Sequence, residues 1–118
     1  MELRAKLQLK PGQAVEAALV PDEILPLLGG IDVTSEPSDD AALLVFVTNR
    51  EILQTQEARI AASAQSDHLT WVAYPKAGQL GTDLARDSLA AHLRQLGTRP
   101  VRQISLDEVW SALRFRPA

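Results

Sequence analysis

The stretch Trp71-Val-Ala-Tyr-Pro-Lys-Ala-Gly-Gln-Leu-Gly-Thr-Asp83 limits the possible folds more than any other part of this chain. Trp71 to Tyr74 reads as a buried strand. Pro75 ends it, because proline has no N–H to give a sheet. Gly78 and Gly81 let the following loop curl. Thr82 and Asp83 then supply cap and first-turn chemistry for a helix. A strand that turns directly into a helix belongs to a layered α/β sheet, and ligands bind at such corners.

The flanking sequence extends the same alternation. Ala42 to Val47 is the clearest buried strand. Thr48 and Glu51 have capping-box spacing, which predicts a helix to about Ala64 with Leu53, Ile60 and Ala64 on one face. Leu69 to Tyr74 is the next strand. Ala85, Leu89, Leu93 and Leu96 stripe the helix after Thr82, and Gly97 stops it. Upstream, Ala14 to Val20 is apolar apart from Glu16 and suits a strand covered on both faces. Pro21-Asp22-Glu23 opens a short helix that ends at Gly29-Gly30. Ile31 to Thr34 is a short strand, and Ser35 to Asp40, with Pro37, is loop. Pro100 to Leu106 is a strand. At the C-terminus the pattern predicts a one-turn helical corner near Asp107, then a strand from about Ser111 to Arg116. This order implies an α/β fold whose sheet is mostly parallel, closed by an antiparallel C-terminal strand. The direction of the Ile31–Thr34 strand stays open, since its link to Ala42 is short for a parallel crossover.

A chain of 118 residues has the length of one domain, and no linker divides it. With no cysteine, thiol nucleophiles, disulfides and thiolate metal sites are excluded. A net charge of −3 argues against nucleic acid. Arg94, Arg99, Arg102, Arg114 and Arg116 collect in the last third, as a local patch or as solvated surface. No apolar run is long enough to span a membrane, and a cytoplasmic location is expected.

Candidate chemistry gathers at the Trp71–Asp83 corner. Lys76, Gly78, Gly81 and Thr82 could seat a phosphate or carboxylate at a helix start, with Arg86 one turn on. The alternative is a structural loop with a solvated lysine. Tyr74 and Lys76 lie two apart, so on extended chain both face one side. Tyr74 is a candidate hydrogen-bonding or acid–base group there. His68 and His92 lack metal-ligand spacing, so no metal and no cofactor are expected. Trp110 and Phe115, on the C-terminal strands, are candidate contacts for a second copy or another protein.

Trp71-Val-Ala-Tyr-Pro-Lys76, Thr82-Asp-Leu-Ala-Arg-Asp87 and the segment from Arg99 to Pro117 resemble a bacterial family of small proteins, a domain of unknown function. The family layout is similar to a shortened Rossmann-like methyltransferase core. The resemblance implies a three-layer Rossmann-like sandwich. It does not imply the chemistry of that class. The turn after the first strand, Leu19-Val-Pro-Asp-Glu-Ile24, has no glycine to let backbone approach adenosylmethionine. The ribose-holding acid could only be Glu36, and the Asp/Asn-Pro-Pro-aromatic corner is replaced by Val47-Thr-Asn-Arg50. The expectation is a non-catalytic binding or interaction module. The alternative is a small-anion-binding protein or small enzyme that uses Tyr74, Lys76 and Thr82.

Overall fold

Ala42–Phe46 has no polar side chain, and all five residues are buried, so both faces of this strand must be covered. The computed structural model, which describes residues 2–36, 38 and 40–118, sets it third in a six-stranded sheet. The strands are β1 (Val15–Ala18), β2 (Val33–Thr34), β3 (Ala42–Phe46), β4 (Thr70–Pro75), β5 (Thr98–Ser105) and β6 (Trp110–Pro117). Their spatial order is β2-β1-β3-β4-β6-β5. The first four run parallel, and β6 lies antiparallel between β4 and β5. The mostly parallel sheet with an antiparallel C-terminal strand is therefore present. The short β2 runs parallel to β1, which settles the direction left open above. Pro37, in the expected loop, and Asp39 lie outside the described residues.

One face of the sheet packs under two α-helices, α2 (Arg50–Gln65) and α3 (Arg86–Arg94). Leu53, Ile60 and Ala64 of α2 and Leu89, Ala90 and Leu93 of α3 meet Leu43, Val45, Val72, Leu113 and Phe115. Each fully buried Leu or Ile there stabilises the fold by about 1.5–3 kcal/mol. Gly97, at φ +85°, ends the α3 segment in a conformation that other residues adopt only with strain.

The other face is covered by irregular structure. The one-turn helix α1 (Leu3–Lys6) and a 3-10 helix, Asp22–Leu28, bring Leu7, Ile24 and Leu28 onto Val15, Leu44, Phe46, Trp71 and Trp110. Phe46 and Trp110 meet edge to face, with ring centroids 5.3 Å apart. Trp71 Nε1 donates to the Leu7 carbonyl at 3.0 Å and so ties α1 to the sheet.

Several expectations are corrected. Asn49, not Thr48, caps α2: its side chain accepts from the Ile52 N–H at 2.9 Å. α3 begins at Arg86, with Ala85 as the flanking residue, so Thr82 does not cap it. β1 is only partly covered, since just Val15 of its four residues is buried. The corner near Asp107 is not helical. Asp107 Oδ1 accepts from the N–H groups of Val109 and Trp110, and that tight turn joins β5 and β6 as an antiparallel pair.

Candidate functional site

Three of the expected residues, Tyr74, Lys76 and Arg86, line one cleft of about 700 Å³ at the carboxyl end of β4. β4 delivers Tyr74 on the face beneath α3, and Ser111 of β6 stands directly across from it. Lys76 follows two residues on, as extended chain requires. Arg86 enters from the first turn of α3. Gln103 and Ser105 of β5 close the far wall.

The polar groups form a chain. Arg86 Nη1 donates to Gln103 Oε1 at 3.5 Å, and Gln103 Nε2 donates to the Tyr74 hydroxyl at 3.3 Å. Both ends of the amide are thereby engaged, which fixes its orientation. Burial raises the Tyr74 phenol above its ordinary value, while the Ser111 hydroxyl and the Arg86 charge offset part of that rise. Tyr74 is therefore a neutral O–H at physiological pH. Arg86 also pairs with the adjacent Asp87 at 3.1 Å, an exposed contact worth little in water.

Lys76 is held differently from the expected free cation. Its Nζ donates to Ser105 Oγ at 2.9 Å and to the Asp107 carbonyl at 2.7 Å, and its backbone N–H donates to the Val109 carbonyl. It buttons the β5–β6 turn to the end of β4. Two of its three ammonium donors are engaged, while the charge stays at the cleft wall.

Gly78, Gly81 and Thr82 do not line the cleft. Gly78 and Thr82 flank a 3-10 turn, Gln79–Gly81, both glycines have positive φ, and Thr82 Oγ1 accepts from the Leu84 N–H. Asp83, expected in the first turn of α3, serves α2 instead. Its Oδ1 accepts from the Arg50 N–H at 2.8 Å. The helix start that these residues were expected to offer an anion is therefore displaced to Ala85 and Arg86.

Trp110 and Phe115 are core residues, with 1% and 0% of their surface exposed, so neither presents a contact surface. Trp110 packs on Phe46 beneath the hairpin turn, and Phe115 packs under α2 and α3. The exposed large apolar side chains lie mainly elsewhere: Leu19, Leu25, Leu27 and Val33 belong to the β1–β2 end, Leu80 lies in the Gln79–Gly81 turn, and only Val101 lies on a C-terminal strand.

No family model, curated protein or solved structure matches this chain. His92 Nε2 contacts Glu57 Oε2 at 2.7 Å and links α3 to α2. Among the described residues no group of three His, Asp or Glu side chains could hold a metal ion, and no helix is long and apolar enough to cross a membrane.

Gln103, Ser105 and Ser111 have no signal in linear spacing. They reach the cleft because β6 returns between β4 and β5, and that register is set by long-range pairing. A second groove of about 310 Å³ shares Arg86, Asp87 and Gln103, and adds Arg94 and Arg102 over Ala90 and Leu113. The combined wall offers forked guanidinium donors above an apolar floor, which is chemistry for holding a carboxylate or phosphate.

Proposed function

We propose that the chain is a non-catalytic binding module, built on a shortened Rossmann-like core without a methyltransferase cofactor site. Its ligand is a small anionic molecule held where β4, β5 and α3 meet. One observation carries this reading: the Arg86–Gln103–Tyr74 hydrogen-bond chain in the 700 Å³ cleft. These are donors fixed in place, which suits recognition. Burial keeps the Tyr74 phenol protonated at neutral pH, so it stands in the cleft as a hydrogen-bond donor. The β6 insertion between β4 and β5 supports the Rossmann-like layout, as does the cover on both sheet faces. The missing cofactor site is supported by Leu19. This exposed side chain stands at φ +60° in the turn after β1, where a cofactor-binding turn carries glycine.

Thermal-shift titration tests the reading. Any ligand that binds the native state raises its stability. Phosphorylated metabolites or nucleotides are expected to raise Tm saturably, and Arg86→Ala should remove the rise without unfolding the protein. A saturating rise with adenosylmethionine would overturn the proposal. Tyr74 is the only tyrosine, so phenolate absorbance reports it alone. Its titration midpoint is expected above 10.0; a midpoint near neutrality would favour an enzyme.

A second reading, a homodimer or a docked protein partner, draws on the exposed Leu25 and Leu27 of the 3-10 helix and Val33 of edge strand β2. Sedimentation would show a dimer that Leu25→Glu dissociates. A monomer at all concentrations would remove the homodimer.

A further inference from the structure

At the opposite end of β4 lies a second cleft, of about 490 Å³, lined by Gln8, Lys10, Gln13, Asp67, His68 and Arg114 among others. Its lining carries two cations, Lys10 and Arg114, and two carboxylates, Asp40 and Asp67. Two arginines of β6, Arg114 and Arg116, lie near a single carboxylate, Asp67. Arg116 takes both oxygens of that carboxylate, Nε to Oδ1 and Nη2 to Oδ2, each at 3.0 Å. Arg114 is left with a neutral partner: its Nη1 donates to Gln8 Oε1 at 2.7 Å. Its Nε is buried and has no acceptor among the described residues. The Arg114 guanidinium, half-buried and with no carboxylate in bonding contact among the described residues, keeps a fork geometry that matches an oxyanion.

We infer that this cleft is an oxyanion site in which Arg114 takes a carboxylate or phosphate group, with Lys10 and His68 lining the same cleft. The site is independent of the cleft at Tyr74, because the two lie at opposite ends of the strands and share no residue. The Lys10-Pro11-Gly12 turn accounts for the position of Lys10. Gly12 adopts φ +74°, and the Lys10 carbonyl accepts from the Gln13 N–H and from Arg4 Nη2, which holds the turn against the wall. Asp40 also lines the cleft and carries the opposing charge, so the site favours an anion with a localised oxyanion head over a diffuse polyanion. Burial already pushes the Arg114 guanidinium below its ordinary value, in the direction that an arriving anion would reverse.

The test is heteronuclear NMR of the arginine Nε–H groups, with inorganic phosphate and succinate as separate probes and chloride at matched ionic strength as the control. The titration is run on the Arg86→Ala variant, so that the other cleft does not contribute. The Arg114 Nε–H resonance is expected to shift saturably with at least one probe, while that of Arg116, already held by Asp67, stays nearly still. A response to phosphate alone assigns the site to phosphoryl groups, and a response to succinate alone assigns it to carboxylates. Lys10→Ala should weaken the apparent affinity several-fold. Arg114→Met should abolish the effect of either anion on Tm while leaving Tm without anion unchanged or higher, the opposite of what loss of a purely structural arginine would give. If the Arg114 resonance moves no more with phosphate or succinate than with chloride, the inference is wrong.

Discussion

The two faces of the sheet solve the same covering problem by different means. Beneath α2 and α3 the filling is almost wholly aliphatic, and two regular helices place it at their natural period. Beneath α1 and the 3-10 helix the cover is a four-residue turn of helix and seven residues of tighter coil. There the gaps are filled by Trp71, Trp110 and Phe46. Long helices bring many small side chains to a sheet face. Short, irregular cover brings few, so the strands themselves must contribute bulk.

The largest expected effects set these faces against each other. Trp71→Ala should cost about 3–5 kcal/mol, read from urea unfolding, because it leaves a large cavity that the irregular cover must span. Leu93→Ala, on the helical face, should cost about 2–5 kcal/mol. The sharper distinction is local. Trp71→Ala should also release α1, seen as fast amide exchange at Leu7, while Leu93→Ala leaves α1 protected. If both variants release α1 equally, the faces behave as one core and the contrast fails.

The next effect lies within the irregular face. Trp71 and Trp110 are equally buried, at 1% exposure each. Trp71 Nε1 donates to the Leu7 carbonyl, but Trp110 Nε1 has no partner among the described residues. Trp71→Phe therefore strands a carbonyl, at about 1–3 kcal/mol beyond the change in packing. Trp110→Phe removes an N–H that was unsatisfied to begin with. Trp110→Phe is expected to be the milder variant by that margin in denaturant midpoint, and equal costs would show that the indole N–H groups do not distinguish the two sites.

A smaller effect separates what could be read from the chain and what could not. Asn49→Ala should cost about 1 kcal/mol through loss of the α2 cap, and Thr48→Ala close to nothing. The sequence favoured Thr48 because Glu51 stands at capping-box spacing from it, and adjacent capping residues are alike in chemistry. The buried stripe of α2, the apolar β3 and the parallel order were legible, since each rests on local periodicity or on composition. α1 was not, because four residues carry no period. Trp110 looked like a surface anchor because its burial depends on Phe46, more than sixty positions away in the chain. The candidate site divides in the same way. Tyr74 and Lys76 were visible as neighbours on one strand, but Gln103 and Ser111 join them only through the β6 register. Thr82 was misplaced because threonine fits a turn as readily as a helix cap, and here its hydroxyl serves Leu84.

The smallest effect concerns pH, and it belongs to the rim of the sheet. Among the described residues the buried polar side chains are Thr70, Thr98 and Ser111, so neither face hides a carboxylate that acid would have to protonate. Asp67, between β4 and α2, is held below its ordinary value of 3.8, chiefly by its hydrogen bonds to Arg116. A depressed carboxylate stabilises the fold above its unfolded value, and that contribution is lost as pH falls through the lower folded value. Asp67 is solvent-exposed, so the change is small and shrinks further in salt. Stability measured between pH 5 and pH 2 should fall less steeply in Asp67→Asn than in the parent, with the two curves converging at the acid end. The gap between them should narrow at high ionic strength, because it reports a screened surface pair; a gap that persists in salt would mean that the Asp67–Arg116 pair is shielded from solvent.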